Sequence, residues 1–376
     1  MTAVKSSGHV RARLAFLLPD MKGGGAERVA LTLIRAFVER GHAVDLLLMD
    51  AGGDLLQLVP KPVRVINLKA SRVRSVVRPL ARYLKQENPS ALQVSMWPLT
   101  VAAIVARALS RASTRLVVSD HAALSKQYAK RGLLHRQFLK WTIRLFYPSA
   151  DARVVVAANT AKDLARLSGL PQSSFEVIYN PVDPAVPRTR NPEIEHLWGG
   201  SDRRILNVGR LDPQKNQILL LEAFARLSAK CEARLVILGE GVLRGALERR
   251  AAELRIADRV AMPGFRLDVA SVYGSADLFV LSSDYEGFGN VLVEAMLAGV
   301  PVVSTNCEAG PSEILDGGRY GRLVPVGDAD ALAEAMLETL QKPIAPAILR
   351  ARAQELTLGV CDAYERVMLP RYLLRQ

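Results

Sequence analysis

Short apolar runs of β type alternate with longer stretches of helical periodicity along nearly the whole chain, and this alternation restricts the architecture more than any other feature. In the first half the runs fall at residues 14–18, 44–49, 116–119 and 154–157; in the second they fall at 205–208, 235–238, 278–281 and 302–305. A strand that leads into a helix returns to the sheet parallel to its predecessor, and a parallel sheet must be covered on both faces. The expected class is therefore α/β, with doubly wound sheets. A length of 376 residues is generous for one core and suits two domains of roughly 180 residues each. Between the two series lies a segment with Pro181, Pro184, Pro187 and Pro192 and little apolar periodicity, which reads as a linker over 181–202. That leaves an N-terminal domain over 1–180 and a C-terminal domain over 203–356. Residues 357–376 read as a final helix with Val360, Tyr364, Val367 and Met368 on one face; a return onto the N-terminal domain is one option, although the sequence does not show its partner surface. Two such domains are expected to face each other across a cleft, with ligands at the carboxyl ends of their strands.

Composition removes several alternatives. A hydrophobic fraction of 49% and a charged fraction of 23% belong to a soluble globular chain and not to a disordered one. Cys231, Cys307 and Cys361 lie far apart with no C-x-x-C pair, so neither a disulfide framework nor a zinc cluster is expected, and reducing cytosol is the default. No secretory signal is evident near the start, and no apolar run approaches the roughly 18 residues of a spanning helix. The charge is uneven: residues 1–180 hold 27 Lys and Arg against 11 Asp and Glu, a net of +16, and the remainder holds 23 against 26, a net of −3. An anionic partner for the first half, or merely a well-solvated basic surface, both fit.

Several segments carry chemistry. After the run ending at Leu18 come Gly23, Gly24, Gly25, Ala26, Glu27 and Arg28, then an amphipathic stretch to about Arg40. Glycines at a strand-to-helix turn let a ligand approach the backbone, and the helix start offers free N–H groups to an anion; a plain flexible turn is the alternative. In the second half, Asn207-Val208-Gly209-Arg210 ends a strand, and Asp212 to Asn216, with Lys215 among them, leads into a helix. Arg210 and Lys215 are then two cations at the sheet's carboxyl edge, suited to a diphosphate. Gly239, Gly241 and Gly245 imitate a dinucleotide fingerprint, but the spacing is G-x-G-x-x-x-G and the run at 259–262 ends without the acid that would grip a ribose, which argues against NAD or NADP.

The richest segment is Tyr285-Glu286-Gly287-Phe288-Gly289-Asn290-Val291-Leu292-Val293-Glu294. Its glycines open a turn, a helix is expected to begin near Asn290, and Glu294 falls about one turn in. Backbone N–H groups there suit phosphate or sugar oxygens, and the two carboxylates accept from hydroxyls. Two carboxylates would also serve glycoside hydrolysis, but the Gly-rich turn and the nearby cations favour phosphate.

Glu286 and Glu294, separated by seven residues, resemble the E-x7-E motif of retaining glycosyltransferases with the GT-B fold, and the flanking Glu286-Gly-Phe-Gly and Glu294-Ala-Met-Leu-Ala-Gly-Val-Pro-Val-Val are similar to the large family 4 of those enzymes. Gly24-Gly25-Ala26-Glu27-Arg28, Asn180-Pro181-Val182-Asp183, Gly209-Arg210 with Lys215, and Met262-Pro263-Gly264 fall where that family has them, so the match spans nearly the whole chain. The resemblance implies two Rossmann-like domains and a nucleotide-diphosphate sugar donor, with a UDP-hexose or UDP-N-acetylhexosamine the commonest choice in the family. It places Arg210 and Lys215 on the donor diphosphate, Glu294 on the ribose and Glu286 on the transferred sugar. Gly287, Phe288, Gly289, Asn290 and Val291 line sugar and phosphate, Pro263 and Gly264 edge the base, and Gly24 and Gly25 close on the phosphates. His121, just past the run 116–119, stands where the family often has a histidine near the donor sugar; a purely structural histidine is the alternative. Transfer is implied to retain configuration, with the departing diphosphate helping to deprotonate the acceptor. No cofactor and no metal are expected. The string Asp328-Ala329-Asp330 matches the D-x-D of metal-dependent enzymes of another fold, yet it follows Gly327 and opens a helical stretch, which reads as an N-terminal cap.

Arg136, Lys140 and Arg144 recur every four residues, with Phe138, Leu139, Trp141, Leu145, Phe146 and Tyr147 interleaved, and Arg74, Arg78 and Arg82 form a second stripe of the same spacing. A basic helix with aromatic neighbours suits an anionic membrane surface; burial of the aromatics in a core is the alternative. No nucleic-acid reading motif accompanies the charge. The expectation is a cytoplasmic enzyme, peripheral on the cytoplasmic leaflet, that glycosylates a polyisoprenyl diphosphate-linked or other glycan acceptor in cell-surface polysaccharide synthesis. A nucleotide-sugar epimerase of the same fold and a non-catalytic sugar-nucleotide or lipid-binding protein are the rival readings.

Overall fold

The computed structural model describes residues 12–182 and 192–370. The chain divides into two compact units, Met1–Pro181 with Gly359–Gln376, and Val182–Leu358.

In the first unit, β1 (Arg13–Leu18), β2 (Ala43–Leu48), β3 (Arg64–Asn67), β4 (Ala91–Ser95), β5 (Arg115–Asp120), β6 (Ala152–Val155) and β7 (Glu176–Val177) form one sheet in the order β3-β2-β1-β4-β5-β6-β7. Every pairing is parallel. The central strands are buried almost end to end, as in β1, where Leu14 to Leu18 have no exposure; continuous apolar strands are what a sheet covered on both faces requires. Val76, Leu80 and Leu84 of the helix Val73–Glu87 pack into this core beside Leu17, Leu47 and Val94. The strand order reverses between β1 and β4, so the carboxyl ends of these strands and of neighbouring β5 frame the crevice where such sheets take ligands.

The second unit repeats the plan with β8 (Arg204–Val208), β9 (Arg234–Leu238), β10 (Val260–Gly264), β11 (Leu278–Leu281), β12 (Val302–Thr305) and β13 (Arg322–Val324), in the order β10-β9-β8-β11-β12-β13. All pairs are parallel. Here the order reverses between β8 and β11, and Asn207, buried on β8, ties the two strands by donating to the Val280 carbonyl at 2.8 Å. Gly239 has φ +141°, and a Cβ there would lie 2.0 Å from the Gly209 carbonyl oxygen. This glycine therefore serves the close crossing of the β8 and β9 turns, which accounts for a glycine at this position of the dinucleotide-like string.

Several boundaries differ from the sequence reading. Strands β3, β4, β7 and β13 were not anticipated; β4 hides Gln93 and Ser95 in an otherwise apolar run, and β3 is largely exposed, so neither shows a clean strand pattern. Part of the Pro-rich segment, residues 183–191, lies outside the described residues, but Pro192–Trp198 is a short 3-10 helix whose Ile194, Leu197 and Trp198 are buried, with the Trp198 indole donating to Ser275 Oγ at 3.1 Å. The helix expected over 357–376 runs only over Val360–Met368: Pro346–Thr357 is a separate helix that ends before Gly359, which adopts φ +70°, and residues 371–376 lie outside the described residues. Val360, Tyr364, Val367 and Met368 are all buried. This last helix belongs to the first unit, held there by Glu365 on His42 and Arg40, by Asp362 on Arg40, and by the Val367 carbonyl, which accepts from Arg115 at 2.7 Å.

Candidate active site

At the carboxyl end of the second sheet, two loops from either side of the switch point are laced together. The turn after β8 meets the turn after β11: Asp284 N donates to the Gln214 carbonyl at 2.9 Å, the Gln214 amide donates to the Tyr285 carbonyl at 2.9 Å, Asn216 donates to Asp284 at 2.7 Å, and Ser282 donates to the Lys215 carbonyl at 2.8 Å. Asn216 also caps the helix Gln217–Ser228 through Leu219 N. Its side chain thus fixes the start of the helix while its amide holds the facing loop.

The lacing brings Lys215 and Glu286 together. Lys215 Nζ lies 2.6 Å from Glu286 Oε1, and Ser283 Oγ donates to the same oxygen at 2.6 Å. Glu286 is only 5% exposed, so its charge is countered by a specific cation and not by water. Thr305 Oγ1 donates to the Ser283 carbonyl at 2.6 Å and so steadies the turn from the end of β12. Near by, burial, aided by the Glu286 charge, pushes the Cys307 thiol up to about 12 and leaves it uncharged. Gly287, Phe288 and Gly289 are buried behind Glu286. Gly289 has φ +103° and stands at the N-terminus of the helix Asn290–Leu297, as the sequence suggested. That helix carries half-buried Asn290, Val291 and Glu294, and Tyr273 donates to Glu294 Oε2 at 2.8 Å.

Arg210 departs from the simple picture of two cations side by side: it is exposed and lies 3.2 Å from Asp212, whereas Lys215 turns to Glu286. Pro263 is exposed and Gly264 buried at the end of β10. Beside them Arg244 bonds Glu240 and donates to the Met262 carbonyl at 2.9 Å, and the Arg244 guanidinium holds the Glu240 carboxyl below its usual range. The D-x-D string is a cap: Asp328 accepts from Ala331 N at 2.9 Å at the start of the helix Ala329–Gln341, and Asp330 pairs with Arg226 at 2.6 Å.

In the first unit, Gly24 and Gly25 open the helix Gly25–Glu39 after β1. His121 follows β5, with its Nε2 3.1 Å from Ser119 Oγ and 3.3 Å from Ser95 Oγ. Burial lowers its pKa to about 4, against a smaller opposing effect from Asn180, so the ring is neutral at physiological pH. Asp120 beside it is buried and accepts from Tyr147 at 2.8 Å; burial raises its pKa to about 7, with Tyr147 and a Trp97 backbone bond pulling the other way and the Asp163 charge adding to the rise. Sequence reasoning missed the supporting set of Ser283, Thr305, Tyr273, Gln93, Ser95 and Ser119. Each is a common residue that no local pattern marks: Thr305, Tyr273, Gln93 and Ser95 come from elements remote in sequence, and Ser283 and Ser119 sit two or three residues from the groups they support.

Comparison with known proteins bears on the family and the fold. The model for glycosyl transferases group 1 matches residues 191–356, and that for glycosyltransferase family 4 matches residues 23–186. A Campylobacter jejuni N-acetylgalactosamine-N,N'-diacetylbacillosaminyl-diphospho-undecaprenol 4-alpha-N-acetylgalactosaminyltransferase is 28% identical over 342 residues, covering 88% of this chain and 90% of that protein. The amylovoran biosynthesis glycosyltransferase AmsD of Erwinia amylovora is 25% identical over 298 residues, 79% of this chain and 81% of its own. Among solved structures, that of Anabaena Alr3699/HepE in complex with UDP and glucose aligns with a TM-score of 0.79 over 95% of this chain and 99% of that one, at 21% identity. With glycosyltransferase models over both halves and two parallel Rossmann-like sheets beneath them, the chain belongs to the group 1 glycosyltransferases of GT-B fold.

Proposed function

We propose that this transferase moves a hexose or N-acetylhexosamine from a UDP-sugar, with retention of configuration, to a glycan built on a polyisoprenyl diphosphate. The observation that carries the reading is the buried Glu286, held by Lys215 and Ser283 at the sheet's carboxyl end, one residue ahead of a glycine turn that opens a helix. Lys215 has three N–H donors and directs one at Glu286, so the same ammonium can also serve an arriving diphosphate. Arg210, exposed at the turn after β8, adds the second positive charge. Glu294, oriented by Tyr273, accepts from ribose hydroxyls, and Glu286 accepts from the transferred sugar. Gly287 to Val291 present backbone N–H groups at a helix start, where negative charge is favoured. Catalysis then consists of positioning and of stabilising charge on the leaving diphosphate. With cations supplying that charge the reaction needs no divalent metal; loss of transfer in EDTA with recovery on adding Mg²⁺ or Mn²⁺ would refute this part.

The lipid acceptor rests on a second observation. The helix Leu133–Phe146 buries Leu139, Thr142 and Ile143, yet leaves Leu134 87%, Trp141 60% and Phe138 53% exposed beside exposed Arg136, Lys140 and Arg144. The interleaved residues thus divide: Leu139 and Tyr147 are core, while Phe138, Trp141 and Leu145 are surface. Arg74, Arg78 and Arg82 are likewise exposed. An apolar ridge flanked by cations fits the interface of an anionic bilayer. The Campylobacter relative, named for a diphospho-undecaprenol acceptor, points the same way. The test is incubation with membrane lipid extract and a panel of UDP- and GDP-sugars, followed by mass spectrometry of the lipid. A lipid product heavier by one hexose or N-acetylhexosamine from a UDP-sugar supports the reading, and activity confined to water-soluble acceptors or GDP-sugars overturns it.

A further inference from the structure

Strands β4 and β5 pair in parallel, with Ser95 beside Ser119 and Gln93 beside Val117. Alternation places Gln93, Ser95 and Ser119 on one face of the sheet, directly beneath His121. All three are at most 1% exposed. The Gln93 amide nitrogen donates to Ser119 Oγ at 2.7 Å and to Ser95 Oγ at 3.1 Å, and the two hydroxyl oxygens are 3.0 Å apart.

With the Gln93 amide nitrogen facing the two hydroxyls, the protons in this cluster are assigned in one economical way. Gln93 spends both amide hydrogens on the two hydroxyl oxygens. One serine gives its proton to the other, and the second is left with a proton for which His121 Nε2 is the acceptor in reach. If Nε2 itself carried hydrogen, a buried hydroxyl proton would be stranded. We propose that Gln93, Ser95 and Ser119 are positioning residues that hold His121 as the neutral imidazole with Nε2 accepting and the proton on Nδ1. Three buried polar side chains at the functional end of an apolar sheet are costly to retain for packing alone; fixing one tautomer gives them a purpose. The benefit to catalysis rests on the transferase reading above, in which His121 stands beside the donor sugar with its ring fixed in one orientation, its Nδ1 being buried and the Asn180 side chain within the ring's reach.

The test uses full-length protein with [15N]histidine, the His121 signal being identified among five histidines by its loss in His121→Gln. Wild type is expected to show the Nδ1-protonated form. Ser119→Ala, a near-isosteric change, is expected to mix the tautomers and lower kcat by roughly fivefold to tenfold, the worth of one net hydrogen bond, while UDP affinity holds and the melting temperature falls by a few degrees as Gln93 loses one acceptor. Gln93→Glu, whose carboxylate accepts from both hydroxyls, is expected to turn the ring to the Nε2-protonated form. A wild-type Nε2–H ring, or a tautomer and kcat indifferent to Ser119→Ala, overturns the proposal. Lack of transfer by wild type alongside an Nδ1–H ring that responds to Ser119→Ala would instead refute the transferase reading and leave the relay standing.

Discussion

Lys215 and Glu286, 71 residues apart in sequence, meet at 2.6 Å, so the cation assigned to the donor diphosphate is also the counter-ion of the carboxylate assigned to the donor sugar. The two functions are therefore coupled, and single substitutions at the pair should not behave alike. Glu286→Gln keeps the shape and frees Lys215; UDP affinity, measured by calorimetry, is expected to stay within about twofold or to rise, while kcat falls by roughly 100-fold. Lys215→Ala leaves a buried carboxylate uncompensated and is expected to weaken UDP binding and lower stability together. Equal loss of UDP affinity in both variants would undo this division.

Glu294 has a different support. Tyr273→Phe removes only the hydroxyl that donates to Glu294 at 2.8 Å. UDP affinity is expected to fall about fivefold, the effect of one net hydrogen bond. Glu294→Ala should lose more, and combining it with Tyr273→Phe should cost nothing further, since the hydroxyl acts through the carboxylate. An additive double variant would contradict that.

For the exposed ridge, Phe138→Ala with Trp141→Ala should abolish binding to phosphatidylglycerol vesicles and leave donor affinity untouched, as measured by cosedimentation and UDP titration. Replacing Arg136, Lys140 and Arg144 with Gln should weaken vesicle binding by on the order of 100-fold at low salt, at about 1 kcal/mol per cation. The wild-type advantage should shrink as salt rises. Binding that survives both sets of changes would place the contact elsewhere.

The last helix supplies a pH prediction. Burial opposes ionisation of Glu365, but His42 and Arg40 outweigh it and hold its carboxyl below the ordinary range. A depressed carboxyl pKa contributes stability above its unfolded value and loses it as pH falls through the folded one. Glu365→Gln should therefore lower the melting temperature by a few degrees near pH 7, about 1 kcal/mol after allowing for partial exposure. The gap from wild type should close progressively as the solution is brought below about pH 4. A difference independent of pH would assign the loss to packing.

Much of the architecture follows from neighbours in sequence. The strands β1, β2, β5, β8, β9, β11 and β12, the glycine turn ahead of Asn290 and the Asp328 cap all arise from periodicity, φ preference and capping chemistry, which act over a few residues. Strands with buried polar residues, such as β4 with Gln93 and Ser95, escaped notice because their pattern makes sense only once His121 lies above them. The exposure of Phe138 and Trp141 was also undecided, because a basic helix with aromatic neighbours has the same sequence whether its aromatics point into a core or away from it.

Glu286 and Glu294 stand out in the sequence alone as two acids flanking a glycine-opened helix start, together with the alternation that makes a pair of parallel sheets necessary. Only the tertiary structure decided that Lys215 neutralises Glu286, that Tyr273 orients Glu294, that Ser95 and Ser119 reach His121, and that Glu365 returns across 323 residues to His42. The physical reason is that propensity and periodicity are local properties of the chain, whereas the partner of a buried charge depends on which strands the sheet order places side by side.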